Sequence, residues 1–213
     1  NSNLITVTVV ADPTISTQPT AITECIGGTT ALSVTAVGGT PSLTYQWYSN
    51  GTTNSNTNGT PINGATLASY TPPSTTAGTT YYYVVVSATG ADCNTVTSDA
   101  TAVTVVADPS ITTQPTAITE CIGGTTALSV VAAGGTPSLT YQWYSNTTNS
   151  TTNSTPINGA TLASYTPLST TAGTTYYYVE VSATGVGCNP VTSTIVDVNI
   201  IADPSITTQP TAI

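Results

Sequence analysis

Residues 78–90 read GTTYYYVVVSATG and residues 173–185 read GTTYYYVEVSATG, differing only at Val85 against Glu180. Tyrosine, valine and threonine suit a pleated sheet, and a glycine closes each end as strand boundaries require. A glutamate belongs in water, so the face carrying Val85 and Glu180 points outward. Side chains alternate along a strand. Tyr82, Val84 and Val86, and Tyr177 in the second copy, therefore turn to the core. One copy serves as a natural variant of the other.

The repetition runs the length of the chain. The blocks QPTAITECIGGTTALSV, GGTPSLTYQWYSN, TPINGATLASYTP and STTAGTTYYYV occur unchanged in both copies, and ADP at 11–13, 107–109 and 202–204 sets periods of 96 and 95 residues. The single-residue difference falls in the polar stretch after the tryptophan, which reads as a surface loop. Residues 11–106 and 107–201 are thus two whole repeats. Residues 1–10 end like the stretch before the second ADP and are expected to be the last strand of a preceding repeat. Residues 202–213 are expected to be the first strand of a following one, in a longer array.

Each repeat has the size of a β-sandwich domain of roughly 100 residues. Strands are expected at 15–25, 29–36, 43–49, weakly at 61–62, then at 68–71, 80–88 and 96–106, with glycine pairs and Asn-Gly between them. No stretch keeps a helical period. In the last strand Ala102 becomes Asp197 and Thr104 becomes Asn199, which leaves Val103 and Val105, with Val198 and Ile200, facing inward. Tyr45 and Trp47 share a face, and Leu32, Val34 and Ala36 form the opposing stripe. Each repeat then buries one tryptophan, Trp47 or Trp143.

Composition excludes several functions. The chain has no Lys, Arg, His, Phe or Met, and nine acids give a net charge of −9. Without cations it is a poor partner for phosphates, so nucleic acid is excluded. It offers no basic patch to anionic lipid. No apolar run approaches the roughly 20 residues of a membrane helix, so no membrane insertion is expected. A Ser–His dyad, a Lys nucleophile and Lys–Asn cross-links are all unavailable. The acids are scattered and differ between repeats, so no carboxylate pair for glycoside cleavage is expected. The chain is read as a non-enzyme with no cofactor.

The sequence GGTTALSV…YQWYSNG…ASYTP…AGTTYYYVVVSATG resembles bacterial immunoglobulin-like repeats, and the resemblance covers each repeat from end to end. It is similar to tandem repeats of long surface adhesins and extracellular filaments of the Bacteroidetes type. The resemblance implies an all-β fold of tandem immunoglobulin-like sandwiches in a head-to-tail array. It matches Trp47 and Trp143 to the family's core tryptophan and makes Tyr82 and Tyr177 candidates for the tyrosine corner. In place of the usual inter-sheet cysteine pair stand Val34 and Val84.

The four cysteines, Cys25, Cys93, Cys121 and Cys188, lie elsewhere. Their even number in a chain expected to be extracellular suggests disulfides. No CxxC and no histidine are present, so no zinc site is expected. The twelve steps from Pro13 to Cys25, about 40 Å when extended, put Cys25 at the far end of the repeat. Cys93 follows a hairpin and precedes the last strand, which places it at the near end. A disulfide needs Cα atoms within about 7 Å. The favoured pairing is therefore Cys25 with Cys188 across the repeat junction, Cys93 and Cys121 bonding to neighbouring repeats. The alternative is Cys25–Cys93 with Cys121–Cys188 inside each repeat.

Three further sets of residues invite a functional reading. Asp12, Asp108 and Asp203 precede proline at the junctions, with Glu24 and Glu120 toward the far ends. Calcium prefers denser carboxylate clusters, and Asp before Pro shapes a tight turn, so no metal site is assigned. Asn-x-Ser/Thr triplets stand at Asn50, Asn58, Asn146, Asn149 and Asn153, all in the loop after the tryptophan. They read either as glycosylation sites or as chance triplets in a polar loop. The tyrosine run 81–83 reads as packing before it reads as a sugar platform.

Two function classes follow. One is a stiff extracellular or cell-surface rod of stacked domains, its partners being neighbouring repeats and lateral copies in a filament. The other is a glycan- or surface-binding adhesion module. Near-identical copies and a three-residue ADP junction, which leaves little freedom, point to the first. Because no Lys or Arg is present, trypsin should leave both the folded and the reduced, denatured chain intact on a denaturing gel.

Overall fold

The computed structural model describes residues 9–90 and 92–209, all β-strand and loop. They form two compact units, one reaching to Ala107 together with Gly185–Gly187, the other Asp108–Thr184 with the residues from Cys188 onward.

In the first unit the strands are β1 (Thr14–Thr17), β2 (Ile22–Cys25), β3 (Leu32–Ser33), β4 (Thr35–Val37), β5 (Leu43–Ser49), β6 (Thr60–Pro61), β7 (Ser69–Tyr70), β8 (Gly78–Ala88), β9 (Val96–Thr97) and β10 (Thr101–Val106). One layer runs β2-β10-β8-β5-β6, with β9 on β8; the other is made by the pairs β1-β4 and β3-β7. The second unit repeats this with β11 (Ser110–Thr113), β12 (Ile118–Cys121), β13 (Leu128–Ser129), β14 (Val131–Ala133), β15 (Leu139–Asn146), β16 (Thr155–Pro156), β17 (Ser164–Tyr165), β18 (Gly173–Ala183), β19 (Val191–Thr192) and β20 (Val196–Ile201).

Three of the expected strands are divided. The segment 15–25 breaks at Gln18-Pro19, where proline has no N–H to give a ladder. Before the break β1 pairs antiparallel with β4; after it β2 pairs parallel with β10. The first strand thus closes both layers. The segment 29–36 is interrupted at Val34, whose N–H goes to Ala68 at 3.0 Å. The segment 96–106 breaks at 98–100. There Ser98 is wholly buried; its Oγ accepts the Val84 N–H and donates to the Asp99 carbonyl, both at 3.0 Å. A side chain takes over where the ladder lapses.

The expected faces are the observed ones. Val84 and Val86 are wholly buried, as is Trp47, and Tyr82, Val103 and Val105 are buried with them. Val34 and Val84 join the Trp47 core cluster, so two aliphatic side chains stand where a disulfide would otherwise cross the sandwich. The Trp47 indole N–H donates to the Leu67 carbonyl, and that of Trp143 to Leu162, each at 2.9 Å. A buried indole needs such an acceptor.

The expectation that 1–10 form a last strand falls on residues 1–8, outside the described residues, and on Val9 and Val10, which are not strand. Residues 202–209 are exposed and not in strand, although the same letters form β11 earlier in the chain.

Leu32 lies in the Trp47 cluster, 1% exposed. Leu32→Ala should cost the first unit about 2–5 kcal/mol through lost burial and the cavity left behind. Urea unfolding followed by Trp47 fluorescence in a Trp143→Phe background measures it.

Candidate functional site

The long strand β8 fixes where each cysteine of the first unit can be. Cys25 ends β2 opposite Val106, and Val105 in turn pairs with Gly78, the first residue of β8. Cys93 follows the other end of that strand, beyond Ala88. The eleven residues of β8 span about 33 Å at the usual rise, several times the reach of a disulfide. The second unit repeats the arrangement. Cys121 ends β12 opposite Ile201, and Cys188 follows β18. Cys25 and Cys188 are both disulfide-bonded, whereas Cys93 and the exposed Cys121 are free thiols. The pairing Cys25–Cys93 with Cys121–Cys188 is therefore not the one made.

The leading end of each unit is held by an aspartate. Asp12 Oδ1 accepts the Asn94 N–H at 3.0 Å and Oδ2 its side-chain amide at 2.7 Å. Asp108 holds Asn189 the same way, at 3.3 and 3.0 Å. In both units the clamped asparagine directly follows a cysteine, Cys93 or Cys188. A side chain at Gly38 would bring its Cβ within 2.5 Å of the Asp12 carbonyl, so this turn admits only glycine. The two amide bonds hold the Asp12 carboxyl below its ordinary 3.8. Among the described residues no cluster of three metal-ligating side chains occurs.

At the trailing end Glu24 folds back under its own turn. Its Oε2 accepts the Thr30 N–H at 3.0 Å, and a Cβ on Gly28 would lie 2.2 Å from its Cδ. Glu120 makes the equivalent bond to Thr126 at 3.2 Å. The other oxygen of each, Oε1, is buried without a hydrogen-bond partner.

The tyrosines are packing elements. Tyr82 and Tyr177 are buried mid-strand, tilted against Tyr70 and Tyr165 at 5.8 Å between ring centres. Burial, and then the neighbouring tyrosine, pushes the pKa of both up, while a hydrogen bond to Thr80 or Thr175 opposes the shift. Tyr83, on the outward face, is nonetheless buried, which alternation alone missed. It stacks on Tyr48 at 5.0 Å with the rings 2° from parallel, and its hydroxyl accepts the Gly59 N–H at 3.0 Å. The loop between β5 and β6 lies over it. Tyr178 stacks on Tyr144 in the same way, and its hydroxyl bonds Ser154.

That loop holds the asparagine triplets. Asn50 and Asn146 are half-buried, and Asn58, Asn149 and Asn153 are exposed. A recess in the first unit, lined by Pro73, Tyr82, Val103 and Val105 among others, has no acid or thiol in its lining.

Solved structures with this fold include Sidekick-1 immunoglobulin domains 1–5, at 16% identity and a TM-score of 0.51 over 91% of this chain. The chain spans 40% of that Sidekick-1 segment. A three-domain titin segment carrying glutamate-to-alanine changes matches at 11% identity and a TM-score of 0.57, covering 95% of this chain and 70% of the segment. The titin I-band fragment matches at 10% identity and 0.54, covering 91% and 67%. No curated protein matches the chain. The neighbours establish the fold, immunoglobulin-like domains in tandem.

The Asp12 clamp gives a signed pH dependence. Its carboxyl is lowered in the folded state, so its contribution is fully present above the ordinary value and is lost as pH falls through the lowered one. The unfolding midpoint of the protein should exceed that of Asp12→Ala at neutral pH, and the gap should close in acid; urea titrations across pH read it.

The model of a domain of unknown function, DUF8696, matches residues 14–107 and again 111–202, so the chain belongs to the DUF8696 family and carries two copies of its domain.

Proposed function

We propose that this chain is a structural segment of an extracellular bacterial filament or adhesin stalk, a stiff rod of head-to-tail immunoglobulin-like repeats stapled by disulfides between successive repeats. The observation that carries this reading is the placement of cysteines at opposite ends of each unit, with Cys25 and Cys188 oxidised and Cys93 and Cys121 free.

Cys25 adjoins Val106 at the end of the first unit. Cys188 adjoins Asn189, which grips Asp108 at the start of the second. Val106 and Asp108 are two residues apart in the chain, at most about 7.6 Å between Cα atoms. Each cysteine thus belongs to the same junction, and a single Cys25–Cys188 bond closes it. In a continuing array Cys121 takes a cysteine of the next repeat and Cys93 one of the repeat before. The closed loop runs from residue 25 to residue 188, for which the chain-entropy treatment assigns about 5 kcal/mol. The mechanical effect is to pin the ADP linker and remove the hinge between repeats.

Two nearly identical copies with a shared core serve a scaffold better than a unique binding site. Disulfides fit an oxidising compartment outside the cytoplasm. The partners are neighbouring repeats and lateral copies of the filament, and the role is non-enzymatic.

Peptide mapping without reduction should give one cross-linked peptide joining Cys25 to Cys188. Solution scattering should show the distance distribution of the chain broaden on reduction and in Cys25→Ser. A Cys25–Cys93 peptide, or a distribution unchanged by reduction, would sink the stapled rod.

A further inference from the structure

The hydrogen bonds of the loops after Trp47 and Trp143 sort the five asparagine triplets into two kinds. Asn50 Nδ2 donates to the carbonyls of Ser55 at 2.9 Å and Thr57 at 3.1 Å. Asn146 Nδ2 donates to those of Ser150 at 2.7 Å and Thr152 at 3.0 Å. A side-chain amide nitrogen carries two hydrogens, and in both asparagines both are committed to holding the loop closed. Attaching a sugar replaces one of them, so one of the two bonds must break.

The other three differ. Asn58, Asn149 and Asn153 are exposed, and their side-chain amides make no hydrogen bond among the described residues. Asn58 and Asn153 occupy the same place in the two loops, both with positive φ, 61° and 59°. This is a conformation asparagine tolerates better than most residues. The threonine each triplet requires, Thr60 or Thr155, is exposed at the start of the short edge strand β6 or β16. For Asn149 it is Thr151, also exposed.

We propose that Asn58, Asn149 and Asn153 are sites of N-linked glycosylation, and that Asn50 and Asn146, with the same triplet, are loop anchors that stay unmodified. The donor is a lipid-linked sugar pyrophosphate. The Asn Nδ2 forms a C–N bond to the anomeric carbon and the anomeric C–O bond breaks. The pyrophosphate leaves with the electron pair, and one amide proton passes to the base of the transferase. Each repeat would then carry sugar on the one loop that differs in length between copies.

The protein isolated from its native source should be digested with chymotrypsin, since trypsin has no site, and its peptides fragmented by electron transfer. Hexose or hexosamine mass is expected on the asparagines at 58, 149 and 153, with unmodified peptides around Asn50 and Asn146. Thr60→Ala and Thr155→Ala, produced in that source, should strip the sugar from Asn58 and Asn153 while circular dichroism stays that of the unsubstituted protein. Bare asparagine at both Asn58 and Asn153, or sugar on Asn50 or Asn146, would overturn the assignment.

Discussion

Each unit hangs on one strand. β8 is paired along one edge by β5, from Tyr82 to Ala88, and along the other by β10, from Gly78 to Tyr82, and β9, at Val85 and Val86. Its inner face supplies Tyr82, Val84 and Val86 to the Trp47 cluster. Its outer face supplies Tyr83, under which Tyr48 stacks. The same strand is the ruler of the domain. It sets the distance between the end that carries Cys25 and the end that carries Cys93, and so decides which thiols can ever meet. A shorter central strand would allow each domain to close on itself.

A chain without cations must satisfy its polar groups with neutral donors. Where another protein would pair an aspartate with arginine, Asp12 uses both donors of Asn94. Gln18 Oε1 accepts the Asp99 N–H at 3.0 Å, and Gln46 Nε2 donates to the Trp47 and Ile62 carbonyls at 2.9 and 2.8 Å. The bonds to Asn94, Asp99 and Ile62 join segments 82, 81 and 16 residues apart in the chain. They are little screened by salt compared with surface ion pairs, which suits an exposed chain.

Much of this was legible in the letters. The Val85–Glu180 difference orients a strand because alternation is a fixed period of two, and burial follows it at Val84, Val86, Val103 and Val105. Tyr83 escaped because its burial comes from a loop, and loop paths have no period. The break in the first strand was written at Pro19, but its transfer between layers depends on β4 and β10, which pair with it from 18 to 23 and from 81 residues away. The clamp on Asp12 was invisible for a similar reason: its partner is 82 residues distant. The broad disposition of cysteines could be reasoned from strand length alone, since distance along an extended chain is the one tertiary quantity that sequence prints directly.

The anchoring of the loop after β5 has a consequence for how such a chain can vary. Asn50 and Asn146 each stake their loop at its base, and the stacked tyrosine pins its far side. Between these fixed points the first copy has one extra residue, Gly51, and the two differ otherwise at Asn56 against Thr151 and Gly59 against Ser154, yet β6 and β16 return to the same register beside β5 and β15. The segment is in effect a socket: a residue can be added and side chains exchanged there without disturbing the sheet, so the face a repeat shows to its surroundings can drift while its body stays constant.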